Sequence, residues 1–518
     1  MLFFIVFAPL VAALLILLGA SPRRLALIGA GATTAGTLAA LFLYRSTPGG
    51  FQFVTSFPIS QSWGLSFSLG ADGLSLVMLF LAALVLLCAV CFSPLSQDMQ
   101  KQAPPAGGAS VRPGWASARS SERLFYACLL FVATGALGAF ASLDLFFFYA
   151  FHELALIPTF LLIGIWGSGN RYAAAWKVTI YLGVGSFVLL LGLILLYRSV
   201  PPAMRSFDIR ALQTVAATGG IAAAAQNQIF LLLLIGFGVL ISLFPFHTWA
   251  PEAYASAPAP AAMLHAGVLK KFGLYGLLRV ALPLLPQGAE HWRTLLVFLL
   301  LGNIIYVGLA TIAQKRLDWM LGYSSVMHMG YIFLGIASAN SIGLNGAVLL
   351  MFAHGISIAL LFGLAGEIRR RTGTLVFTDL GGLAKSMPFA GLAFGVATFA
   401  AIGLPGFANF AGEIMIFFGA FRIAADWDGF HLFQFATALA LWGVVISAVY
   451  MLRAYRAIFM GPTAAQLGNW TDQRAFGPSL RCPVVLLMAA LLIVGFFPNT
   501  IVHLLRPAFP PALVENTR

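Results

Sequence analysis

Apolar runs of about twenty residues recur along the whole chain, from "LFFIVFAPLVAALLILLGA" (2–20) to a last run near 480–500. Each is long enough to cross a hydrocarbon core of about 30 Å as a helix. Lipid offers no partner to backbone N–H and C=O groups, so a chain built this way has few folds open to it besides a helical bundle. The pattern predicts an all-α polytopic membrane protein with about 14 transmembrane helices, near 2–20, 25–44, 72–93, 124–141, 143–166, 173–197, 228–248, 259–283, 294–314, 320–337, 343–368, 387–420, 434–460 and 480–500. The first run lacks a basic stretch ahead of it and a convincing cleavage site, so it reads as the first helix rather than a signal peptide. Only 9% of the residues are charged and 60% are hydrophobic, which excludes a large soluble enzyme carrying a few anchors.

The polar remainder sets the topology. The longest polar connection, "SPLSQDMQKQAPPAGGASVRPGWASARSSER", is rich in Pro, Gly and Ser and reads as a loop. Net charge is +13. In such a chain the excess of Lys and Arg marks cytoplasmic loops rather than a nucleic-acid partner. The alternate loops holding Arg23–Arg24, Lys101–Arg123, Lys315–Arg316, Arg369–Arg371 and Lys385 carry the larger share, which puts them inside and both termini on the outer side. The four cysteines (Cys88, Cys91, Cys128 and Cys482) fall in or at the ends of apolar runs and read as small core residues.

Two runs are interrupted. One contains "LISLFPFHTWAPEA" with Pro245, the other "AIGLPGFANFAGEI" with Pro405. Helix breaks at membrane depth are tolerated where the freed backbone lines a buried polar cavity. Two of them, five runs apart, point to an internal repeat with a midplane site in each half.

The chemistry must lie in the few ionisable groups inside the runs. "FFFYAFHELALIPTFLLIGIW" (146–166) holds Glu153 near its middle. Lys177 lies early in the next run, nearer its end, where a lysine can also reach the interface. Lys270 and Lys271 share a later run, with His265 ahead of them; His328, His354 and Glu413 come after. Burial disfavours the charged form of a carboxylate or lysine and brings both toward neutral pH, where histidine already titrates. Taken singly, each group is open to a plain structural role; together they read as a proton relay. Lys271 points about 100° away from Lys270 on a regular helix and is expected off the path. A metal site is not expected, because the histidines lack close ligand spacing and two lysines would repel a cation.

These motifs resemble a known family. "GADGLSLVML" (70–79), "DLFFFYAFHELALIPTFLLIGIWG", "PFHTWAPEAYASAPAPAAMLHAGVLKKFGLYGLLR", "KRLDWMLGYSSVMHMGY", "HGISIALLFGLAGEI" and "AIGLPGFANFAGEIMIFFGAF" stand in the order of the subunit M/chain 4 family of NADH–quinone oxidoreductase, or respiratory complex I. This is a family of antiporter-like membrane subunits, and the likeness runs over essentially the whole chain. It implies N-terminal helices 1–3 and a polar loop over 1–123. Two inverted five-helix repeats, each with one broken helix, would cover 124–283 and 294–460, and a last helix with a tail 461–518. It further implies a lateral relay through the midplane. By matching motifs Glu153 takes the place of the fifth-helix glutamate, Lys270 that of the eighth-helix lysine, and Glu413 that of the terminal glutamate. Lys177, His328 and His354 fall at positions where the family carries polar residues.

The implied function is proton translocation coupled to NADH oxidation and quinone reduction in other subunits of the complex, with this chain among the neighbouring membrane-arm subunits of a bacterial plasma membrane. FMN, iron–sulfur clusters, NADH and quinone would be bound by those other subunits. One departure stands out. Where the family has a seventh-helix lysine paired with Glu153, this chain has Leu240, and no Lys or Arg lies between 228 and 248. It keeps a non-pumping scaffold as an alternative, while a cation–proton antiporter and a membrane-hydrogenase pumping subunit stay open because they share the relay residues.

Overall fold

The computed structural model describes residues 1–45, 50–93, 118–423, 432–462 and 477–505. Most of the long polar connection and the C-terminal tail lie outside them. Among the described residues, eleven helices are long and apolar enough to cross a membrane, and three shorter apolar helices accompany them.

In chain order these are α1 (Leu2–Leu17), α2 (Pro22–Leu43), α3 (Gly73–Phe92), α4 (Ala118–Ala141), α5 (Leu145–Trp166), α6 (Arg171–Ser199) and α7 (Ala223–Ile241). The helical run 259–284, α8, contains two π-helical turns, His265–Leu269 and Leu277–Ala281. Then come α9 (Pro286–Ile312), α10 (Leu317–Ala337), α11 (Ser341–Thr372), α12 (Pro388–Ile402), α13 (Leu432–Phe459) and α14 (Pro478–Phe496). Half-helices Trp249–Ser256 and Ala408–Phe421 continue α7 and α12 beyond their breaks. Each falls on or beside a run expected from the sequence.

The helical bundle carries one further element. An antiparallel hairpin, β1 (Gln52–Ser60) and β2 (Leu65–Ala71), stands between α2 and α3. Its short alternation of apolar residues with serine has period two, which a search for twenty-residue runs passes over. Gly64 turns it with φ +60°, and a Cβ there would come within 2.8 Å of Arg205 O.

The core is central rather than layered. Every residue in the apolar window of α11 is buried, against 28% for α14. Exposed Trp176, Ile180, Val184, Phe187, Leu191 and Ile194 form one stripe along α6 at three- and four-residue spacing, the pattern of a face turned to lipid or to a neighbouring chain. Of the cysteines, Cys88 and Cys128 are buried, but Cys482 is exposed on α14 and is no core residue.

Loops expected on one side do meet. Asp318 at the start of α10 binds Arg316 at 2.8 Å and also Arg369 near the end of α11. Arg369 in turn donates to Ser168 in the α5–α6 loop at 2.7 Å. At the other end Asp144, the N-cap of α5, accepts from Ser66 N of the hairpin at 3.1 Å and from Phe146 N at 2.9 Å. Burial raises its pKa to about 6. Inside the bundle, Asp72 caps α3 through Ser75 N and holds Arg279 of α8 at 2.5 Å. Breaking a buried pair of this kind typically costs about 3–5 kcal/mol, so it pins α3 to α8.

Candidate functional site

The two breaks come first, because they expose backbone. α7 ends at Ser242, which sits in the left-handed region with φ +69°. Groups this frees are taken up by one amide on α9: Asn303 Nδ2 donates to Ser242 O at 3.1 Å and its Oδ1 accepts from Phe244 N at 2.6 Å, while Nδ2 also donates to Val326 O of α10 at 3.0 Å. Trp249 Nε1 closes Val239 O at 3.0 Å. Pro245 lies in this break, on the chain surface.

At the second break α12 ends on Gly403, φ +78°, and Gly406 lies three residues on with φ +93°; Pro405 sits between them, also exposed. Here the freed Ala401 carbonyl is met by His328 of α10, through Nε2 at 2.9 Å, while Nδ1 lies 2.8 Å from Ser324 O. Carbonyl oxygens only accept, and a neutral imidazole has a single N–H. Both contacts are hydrogen bonds at once only when the ring carries a second proton. A second proton on this ring would complete both hydrogen bonds.

From His328 the chemistry runs inward. Its ring centroid lies 5.3 Å from that of His354 on α11. His354 Nδ1 is 2.9 Å from Lys271 Nζ, which also donates to Ala266 O at 2.8 Å. Lys271, set apart from the other groups on a regular helix, is the lysine in contact with His354. The π-helical turn His265–Leu269 just ahead adds a residue to its turn, so a regular 100° step misplaces the side chains that come after it. Lys270 is equally buried and points elsewhere, with Nζ 3.4 Å from Ser325 Oγ and 5.2 Å over the Tyr254 ring. Among the described residues neither lysine has a carboxylate within 4.0 Å. Glu413 is buried beside the second break, and a Cβ on Gly403 would collide with its Oε2.

The first half is arranged differently. Glu153 is not buried through: its side chain is 35% exposed, on the rim of the bundle. Ser186 Oγ of α6 donates to it and lies 3.1 Å from Tyr149 OH as well. Lys177 does not reach it; its Nζ binds Glu252 Oε2 of the half-helix Trp249–Ser256 at 2.8 Å. Leu240 is buried among apolar neighbours. The basic side chain within 4.0 Å of Glu153 among the described residues is His152, with Nδ1 at 3.6 Å. His265 contacts Tyr254 OH through Nδ1 at 3.3 Å.

The structure thus gathers Lys271, His354 and His328 with Glu413 nearby, and leaves Lys177 and Glu153 with separate partners. Sequence reasoning missed His152, Glu252 and Asn303. The first stands directly beside Glu153, and the second lies in the same motif as Pro245, so both had a signal. Asn303 had none, because its role depends on a backbone break sixty residues away.

Known proteins carry the same plan. A family model described as "NADH:quinone oxidoreductase/Mrp antiporter, TM" matches residues 142–440. The chain is 30% identical to NADH-quinone oxidoreductase subunit M of Rickettsia felis over 98% of each chain. It is 33% identical to NAD(P)H-quinone oxidoreductase chain 4 of Gloeobacter violaceus over 86% of this chain and 79% of that one. Among solved structures it superposes on a chain of respiratory complex I from Thermus thermophilus with bound NADH, with TM-score 0.83, 28% identity and all of both chains covered. It superposes likewise on a chain of the Mrp complex from Dietzia sp. DQ12-45-1b, with TM-score 0.80 and 21% identity over 99% and 97% of the chains, a likeness of fold.

Proposed function

The chain belongs to the NADH:quinone oxidoreductase/Mrp antiporter transmembrane family, and on that premise we propose that it is a membrane-arm subunit of an NADH–quinone oxidoreductase that moves protons across the membrane. NADH oxidation and quinone reduction, with FMN and iron–sulfur clusters, belong to other subunits. This multi-pass chain sits among the neighbouring membrane-arm subunits of a bacterial plasma membrane with both termini on the outer side.

The observation that carries the reading is the contact of Lys271 with His354, continued by His328 to the second break and Glu413 beyond. Buried lysines without carboxylates are costly, and a line of them with histidines has a use in passing protons. Lys270, Glu153 and Lys177 extend the relay toward the first half. A cation–proton antiporter would use the same groups. The 30% identity over 98% of a subunit M chain favours the oxidoreductase. A scaffold reading rests on Leu240, and the Lys271–His354 contact speaks against it.

The test uses inverted vesicles from the native host, comparing NADH-driven acidification with NADH oxidation. Lys271→Met is expected to lower protons moved per electron at least severalfold in assembled complex, and Lys270→Met less. An unchanged ratio in both variants would overturn the reading.

A further inference from the structure

Adjacent residues on a helix point about 100° apart, and α5 uses this to face two ways. Glu153 stands on the rim with Ser186 and Tyr149. His152, 6% exposed, turns into the bundle and stacks on Phe272 of α8 with ring centroids 4.2 Å apart. Phe272 is next in the chain to the lysine that contacts His354. His152 Nδ1 is buried and faces Glu153 at 3.6 Å, beyond a direct hydrogen bond. On α8, His265 lies within electrostatic reach of both His152 and Lys270. It borders a cavity of about 10 Å³ lined also by Thr159 of α5 and by Tyr254, about the space of one water. Lys270 then covers the Tyr254 ring.

Resting on the function proposed above, we infer that His152 is the relay residue linking Glu153 on the rim to Lys270 in the core, through the His265–Tyr254 pair. Proton balance is simple. The Glu153 carboxyl gives its proton to His152, leaving a carboxylate and an imidazolium. The imidazolium loses its other N–H proton toward His265 and Tyr254, and the ring is neutral again. Histidine performs such transfers near neutral pH because it holds or releases a proton at little cost there.

The experiment compares wild type, His152→Phe, His152→Gln and Lys271→Met in intact complex in inverted vesicles. Phe keeps the stack on Phe272 and Gln keeps hydrogen bonding, but neither carries a proton. Both are expected to lower protons moved per electron at least twofold while the amount of complex and its NADH oxidation persist. A structural role would lower complex and oxidation together and leave the ratio alone. An unchanged ratio in either assembled His152 variant overturns the inference. If Lys271→Met also leaves the ratio unchanged, the function reading falls too; if Lys271→Met lowers it, only the His152 link falls.

Discussion

The two helix breaks solve one problem with different chemistry. At the first, freed backbone is tied by Asn303, an amide that does not titrate, and the nearby charges Lys177 and Glu252 neutralise each other. At the second, the freed carbonyl is tied by His328, which does titrate, and the nearby Glu413 has no cation within 4.0 Å among the described residues. A broken helix is therefore a scaffold whose chemistry is set by the side chain that braces it. Built with an amide it is a fixed joint, and built with an imidazole it is a place where a proton changes the bonding.

The sharpest test of that contrast is Gly403→Ala. It strains a left-handed position and drives a methyl group into Glu413 Oε2, so proton movement per electron is expected to fall about tenfold in vesicles, with NADH oxidation less affected. Retention of the full ratio would mean that Glu413 does not need its place beside the break. Asn303→Leu attacks the other joint. It orphans Phe244 N and Ser242 O, at about 1–3 kcal/mol for each buried unsatisfied group. The expected result is a lower unfolding temperature and less assembled complex, with a near-normal ratio in the complex that does assemble. A lost ratio with unchanged stability would erase the distinction between the two breaks.

The smallest effect concerns Asp144, which caps the helix carrying Glu153, whereas the half-helix carrying Glu413 starts without a side-chain cap. Burial lifts the Asp144 carboxyl above the ordinary carboxylate range, to about 6. The folded state thus favours the protonated acid, and its contribution is fully present in acid and lost as pH rises through about 6. Asp144→Asn keeps a capping oxygen. It is expected to flatten the fall in thermal stability of the purified complex between about pH 4 and 6, the ordinary and the raised value; an unchanged slope would remove Asp144 from the account.

Much of this was legible in the sequence for a physical reason. A membrane span announces itself by length, and a break by Pro and Gly, so the helices and both interruptions are found where the runs and motifs place them. The β1–β2 hairpin was not, because seven to nine residues of alternation are too short to stand out among such runs. Choosing between Lys270 and Lys271 was beyond any helical wheel. Both sit in a helix buried on all sides, next to a π-helical turn, and only the packed bundle shows which one meets His354. Glu252 stood in the Pro245 motif, but its pairing with Lys177, 75 residues away, shows only in the packed bundle.

The burial of α11 has a consequence for the membrane itself. Its 32 residues make about 48 Å of helix, and even the stretch ahead of Glu367 and the arginines exceeds a hydrocarbon core of about 30 Å. A lipid-facing helix of that length would have to tilt or distort the bilayer to relieve hydrophobic mismatch. α11 is wrapped by protein and meets no lipid along its apolar window, so its excess length provokes no such response. Any such adjustment falls to the faces that α6 and α14 leave open, not to the helix that carries His354.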